Sequence, residues 1–190
     1  MSYKPENIFS PAKGRLLISE PFIEDPHFKR TVILLCEHNE SGSFGLVLNN
    51  YIDLQISSVI PDIEPFKSRI SVGGPVSNSS IFYLHTFGDA IDGSMHVFEN
   101  VYRGGDFEQI KHKLKEGLIS PKEIRFFVGY SGWDKEQLSF ELKEKSWIVS
   151  DASQDQVMNT RNINLWSQSL RALGDDFALL SNFPSDPNLN

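Results

Sequence analysis

The chain has 190 residues, of which 39% are hydrophobic and 12% aromatic, and it carries a formal charge of −7 with a pI near 5.2. A chain of this length buries roughly 70% of its unfolded surface, enough for one domain (1–190) to hold a core, and its single cysteine excludes an internal disulfide framework. The acidic balance argues against direct nucleic-acid binding, whose affinity comes from Lys and Arg neutralising phosphates.

Residues 1–13, with Pro5 and Pro11, read as an irregular lead-in that lacks the apolar core of a signal peptide. No apolar run approaches the ~18 residues a membrane span needs, so a cytoplasmic protein without a membrane partner is expected. Gly14–Ser19 reads as a short strand stopped by Pro21, and Glu20–Lys29 as a loop. Thr31–Asn50 then reads as a hairpin, with apolar runs at Thr31–His38 and Phe44–Asn49 flanking a five-residue loop, Asn39–Ser43. Val32, Leu34 and Cys36 alternate with Ile33 and Leu35, so both faces are apolar and the strand belongs in the middle of its sheet.

Asp53–Ile60 reads as a short helix ended by Pro61. Ile70–Val76 starts as a strand and stops at Gly73-Gly74-Pro75, and strands follow at Ile81–Thr86 and at Met95–Glu99. The basic residues are scattered, and the densest cluster, Lys111-His112-Lys113 with Lys115, alternates with acids on a helix. Asp106 and Gln109 open that helix at capping-box spacing; Phe107, Ile110 and Leu114 line one face, and Gly117 stops it. Ile124–Tyr130 is a strand broken by Gly132-Trp133. Asp134–Lys145 is a second helix, Ser146–Ser150 a late strand, Asn164–Leu173 a third helix stopped by Gly174, and 181–190 a polar tail. Early hairpins and later interleaved helices point to α+β: a bent, mixed, largely antiparallel sheet with three or more helices packed on it.

Two motifs fail on inspection. Gly129-Tyr130-Ser131-Gly132-Trp133 resembles a nucleophile elbow, but the fifth residue is Trp133 and all five histidines precede Ser131, so it reads as a tight turn. Gly104-Gly105-Asp106-Phe107 resembles a cyclase signature, yet helix capping accounts for Asp106. Two weaker constellations stand. Cys36 and His38, two apart on a strand with Cα atoms about 6.6 Å apart, would face one side as a nucleophilic or ligand pair; the bland alternative is a core thiol and a strand-end imidazole. Gly73 and Gly74 could offer backbone N–H groups to an anion, or simply end a strand.

Several segments taken in order resemble the YqgE/AlgH family: Gly14–Ser19 followed by Pro21, RTVILLCEH with GSFGLVLN, GGPV, FYLH, GGDF, RFFVGYSGW followed by QL, and the terminal PSDPNLN. The resemblance implies one α/β-type domain around a bent mixed sheet. It also carries the transcriptional-regulator label of many members, without established catalytic residues to carry over. Glu136 departs from the family's usual Gly in the GWxxGQL segment. The expectation is a non-enzymatic cytoplasmic regulatory or binding protein, with no cofactor, acting through a protein or small-molecule partner. The competing class is a small-molecule enzyme with a site near Cys36, His38, Asn49 and His85.

Overall fold

A computed structural model describes residues 6–63 and 65–183, so the start of the lead-in and the terminal PSDPNLN segment lie outside the described residues. The strands are β1 (Leu16–Ser19), β2 (Val32–Asn39), β3 (Gly42–Val47), β4 (Tyr51–Ile52), β5 (Ile70–Val72), β6 (Val76–His85), β7 (Met95–Phe98), β8 (Val101–Arg103), β9 (Ile124–Asp134) and β10 (Trp147–Ser150). The helices are α1 (Phe107–Lys115), α2 (Gln137–Lys143), α3 (Gln154–Met158), α4 (Leu165–Ala172) and α5 (Asp175–Leu180). The architecture is α+β. The sheet runs β10-β1-β2-β3-β9-β6-β8-β7, antiparallel except where β5 lies parallel to β9.

β9 is where the sheet turns. Its first half, Ile124–Val128, pairs with β6, and Phe127 and Val128 also pair with β5; its second half, Ser131–Asp134, pairs with β3. The change of partner falls at Gly129, whose φ of +70° lies in the left-handed region that glycine alone enters freely. Gly132-Trp133 therefore does not break the strand, contrary to the sequence reading: both residues stay in register opposite Phe44 and Ser43.

The hairpin is tighter than its sequence indicates. Asn39 pairs with Gly42 across a two-residue turn, Glu40-Ser41, in place of a five-residue loop. The extra length is absorbed by a bulge at Cys36, because Leu35 pairs with Gly45 and Glu37 with Phe44. The expected helix at Asp53–Ile60 is only a single 3₁₀ turn, Ile56–Ser58, preceded by the short strand β4. β8, α3 and α5 were not legible as elements.

Three apolar clusters cover the sheet. Leu16, Ile18, Val32, Leu34, Cys36, Leu46 and Leu48 pack against α3–α5 through Val157, Leu165, Trp166, Leu170 and Phe177. The opposite side of the same strands, Leu17, Ile33, Leu35 and Val47, packs with Trp133, Trp147 and Leu138 of α2. Both faces of β2 are thus covered, as the alternation implied. The β6–β9 half packs on α1 through Tyr83, Phe126, Ile110 and Leu114. Asp106 caps α1, accepting from the amides of Glu108 and Gln109, and Gly117 closes it with φ +68°. Gln109 completes no capping box; its amide instead donates to Asp92. Glu136, at the N-cap of α2, has φ +66°, which explains why glycine suits that position. No helix among the described residues is long and apolar enough to cross a membrane.

Candidate functional site

The six residues singled out from sequence are each held by internal partners, and no side-chain hydrogen bond among the described residues joins any two of them. Cys36 is buried, and burial, partly offset by Arg103, pushes its thiol up to about 12. His38 does not share its side. The bulge leaves Cys36 in the cluster under α3–α5, whereas His38 lines a cavity with Leu138 of α2 and bonds Ser43 Oγ through Nδ1 at 2.7 Å. A thiol of that pKa is almost wholly protonated at neutral pH and shielded from solvent. Iodoacetamide is therefore expected to leave the folded protein unlabelled at pH 8, with one adduct by intact mass after denaturation. Rapid labelling of the folded chain would contradict this placement.

Asn49 closes the start of β2: its Oδ1 accepts from the Val32 amide at 2.8 Å and its Nδ2 donates to the Arg30 carbonyl at 2.8 Å. Gly73 lies against β9, donating to the Val128 carbonyl, while its own carbonyl accepts from the Val47 amide and Ser131 Oγ. That amide is engaged within the sheet and does not offer itself to an anion. Ser131 is a buried structural hydroxyl, as its sequence context implied.

His85 is fully buried between the rings of Phe87 and Tyr102. Its Nδ1 accepts from the Phe87 amide, so Nε2 carries the proton, facing the Gly104 carbonyl at 3.0 Å and Ser94 Oγ at 3.1 Å. Burial lowers its pKa, partly offset by the Gly104 carbonyl. The unfolded imidazole takes up a proton near pH 6.5 while the folded one resists it, so the unfolded state binds more protons and stability falls as pH drops. The loss begins near pH 6.5 and approaches about 1.4 kcal/mol per pH unit until the folded imidazole itself titrates. Urea midpoints from pH 7.5 to 5 are expected to fall more steeply for the wild type than for His85→Gln; equal slopes would contradict a neutral buried imidazole.

A different place gathers unused polar groups. A cleft of about 590 Å³ is walled by Tyr51 and Ile52 of β4, by Asp53–Gln55, by Lys67-Ser68-Arg69 leading into β5, and by Thr160-Arg161 after α3. A second cavity of about 420 Å³ shares Lys67, Thr160 and Arg161 with it and adds Lys122 and Asp155. The segment Phe66–Ile70 alternates buried and exposed, which turns Phe66, Ser68 and Ile70 inward and Lys67 and Arg69 outward.

Beneath this cleft lies Arg125, completely buried on β9. Its guanidinium donates to the Val157 and Leu48 carbonyls, to Ser71 Oγ at 3.1 Å and to Tyr51 Oη at 3.5 Å. No carboxylate pairs with it among the described residues, and Nε has no partner. Burial lowers its pKa, with Tyr51 acting in the opposite sense, and a guanidinium stays cationic regardless. One side chain thus ties together the end of β3, the β4–β5 pair and the end of α3, which are the supports of the cleft walls. Tyr51 links floor to mouth: Arg125 lies 5.7 Å and Arg69 5.3 Å from its ring centroid. Sequence reasoning missed this site because its cations come from separate segments; the alternation in Phe66–Ile70 and the lone charge of Arg125 in an apolar strand were the available signals.

The comparisons agree in extent. A family model described as AlgH-like matches residues 16–178. A UPF0301 protein from Cytophaga hutchinsonii is 43% identical over 179 residues, covering 94% of this chain and 98% of its own. Among solved structures, the solution structure of AlgH from Pseudomonas aeruginosa is similar at a TM-score of 0.71 and 27% identity, covering 93% of this chain and 97% of that one. The crystal structure of protein DIP2367 from Corynebacterium diphtheriae has a TM-score of 0.78 at 24% identity, over 94% and 95% of the two chains, a likeness of fold.

Proposed function

The chain belongs to the AlgH-like family, and from that premise we propose that it is a non-enzymatic cytoplasmic regulatory protein acting through a small-molecule partner bound in the Tyr51–Arg161 cleft. One observation carries the reading. The cleft is concave, of a size that suits a small ligand, and its three walls are fixed from below by the single buried side chain of Arg125. A site held that way is formed before the ligand arrives, which spares the ordering cost of binding.

The dispersal of Cys36, His38, Asn49 and His85 over separate partners favours binding over catalysis at those residues, because a nucleophile needs a base within hydrogen-bond reach. The transcriptional-regulator label is compatible with this role through a ligand-dependent partner. The net charge weighs against a direct hold on DNA.

Native mass spectrometry of gently purified protein tests the reading. A bound small molecule that is lost when Tyr51→Ala and Thr160→Ala open the cleft would support it. A retained ligand that survives both changes would place binding elsewhere. For the DNA alternative, a gel shift of random duplex at low salt and micromolar protein, abolished by neither substitution, would replace the proposal with direct DNA contact.

A further inference from the structure

We propose that the occupant of this cleft is a small phosphorylated molecule, its anionic groups taken by Lys67, Arg69 and Arg161, an inference that rests on the cleft being the binding site. Among the described residues, the two adjoining cavities are lined by four cationic side chains, Lys67, Arg69, Lys122 and Arg161, against two carboxylates, Asp53 and Asp155. In a chain of net charge −7 that local excess runs against the whole-molecule balance. Elsewhere the arginines are engaged: Arg15 pairs with Asp151, Arg103 with Glu37, and Arg171 donates to Ser181 Oγ. Arg69 and Arg161 make no ion pair and donate no side-chain hydrogen bond to another described residue. They are planar forks left open at the mouth of a concavity, the geometry that matches phosphate oxygens two at a time.

The floor adds hydroxyls. Thr160 is buried in the same wall, and Tyr51 brings a phenol. Ser68 is 5% exposed, and its Oγ is buried without a hydrogen-bond partner. That hydroxyl is turned inward, on the other side of the segment from Lys67 and Arg69, so it is not a ligand group. The shared Lys67, Thr160 and Arg161 lie between the two cavities, so a ligand with two linked anionic groups reaches both. A polyanion fits less well: a nucleic acid would run beyond the concavity along a chain of net charge −7, where repulsion grows with each phosphate.

Calorimetric titration of the full chain with inorganic pyrophosphate tests this. The expected result is saturable binding at or below about 1 mM, weakened by added salt. Arg69→Gln and Arg161→Gln should each weaken it about tenfold, the equivalent of one charge-assisted hydrogen bond, while Lys111→Ala on α1 leaves it unchanged. Ser68→Ala, on the inward side of the same segment, is a second control. It should leave pyrophosphate binding unchanged and the melting temperature of the empty protein unchanged or raised, because no hydrogen bond is lost.

Absent binding, or binding indifferent to both arginine substitutions, would overturn the phosphate assignment. Tighter binding of random duplex DNA, lost in the same arginine variants, would replace the small molecule by a nucleic acid. A neutral compound found in the cleft by native mass spectrometry would keep the cleft as the site and remove only the phosphate.

Discussion

Arg125→Ala is expected to lower the unfolding free energy by about 3–5 kcal/mol, as removal of one member of a buried charged network does. The guanidinium is wholly buried and serves two carbonyls and two hydroxyls from four elements. Truncation leaves the Val157 carbonyl without a donor, the Leu48 carbonyl with the Ser71 hydroxyl alone, and a cavity where the side chain stood. Arg125→Lys keeps the charge, but one ammonium cannot reach acceptors spread over β3, β5 and α3. Arg125→Met fills most of the volume yet still orphans the Val157 carbonyl, at about 1–3 kcal/mol, and takes one of two donors from the Leu48 carbonyl. Urea unfolding with the slope held fixed measures all three. A methionine variant as stable as the wild type would mean that the guanidinium is packing volume rather than a clamp.

The second large effect concerns a glycine. Gly74→Ala should cost about 3–5 kcal/mol, combining overpacking with backbone strain. At Gly74 the chain leaves β5 for β6 and crosses directly over β9. A Cβ there would stand 2.3 Å from the carbonyl carbon and oxygen of Tyr130 and 2.4 Å from the Ser131 amide nitrogen, all backbone atoms that no rotamer change moves aside. Its φ of +154° is also one that L side chains rarely adopt. The thermal midpoint is expected to fall by roughly 10 °C for a chain of this size. A fall of a degree or two would mean that β5 and β9 separate easily at this crossing.

These two positions mark where sequence reading succeeds and stops. The Gly73-Gly74-Pro75 run was visible as a break in a strand, and a strand-ending role was one of its two readings. Which strand it crossed was not visible, because the partner lies more than fifty positions away. Hydrophobic alternation placed β2 in the middle of the sheet and both its faces under cover, and this needs only the period of two. The bulge at Cys36 escaped the same argument. One extra residue reverses the side of everything after it, and no local signal records it. The Cys36–His38 pair failed for that reason.

The cleft was illegible for a related one. Lys67 and Arg69 alternate with buried neighbours, but Lys122 and Arg161 reach the same hollow from distant segments, so no window of sequence contains the cluster. Arg125, between Ile124 and Phe126 in an apolar strand, was the clearest available hint. A charge in a run that is otherwise buried needs acceptors from elsewhere in the fold.

Chemical-shift mapping of pyrophosphate on isotopically labelled full-length protein tests the central claim most directly. The expected result is dose-dependent movement concentrated in the amides of Tyr51, Lys67, Ser68, Arg69, Thr160 and Arg161, with the hairpin tip at Asn39–Ser43 unmoved. Shifts centred on His38 and the hairpin tip, or none at millimolar ligand, would contradict it.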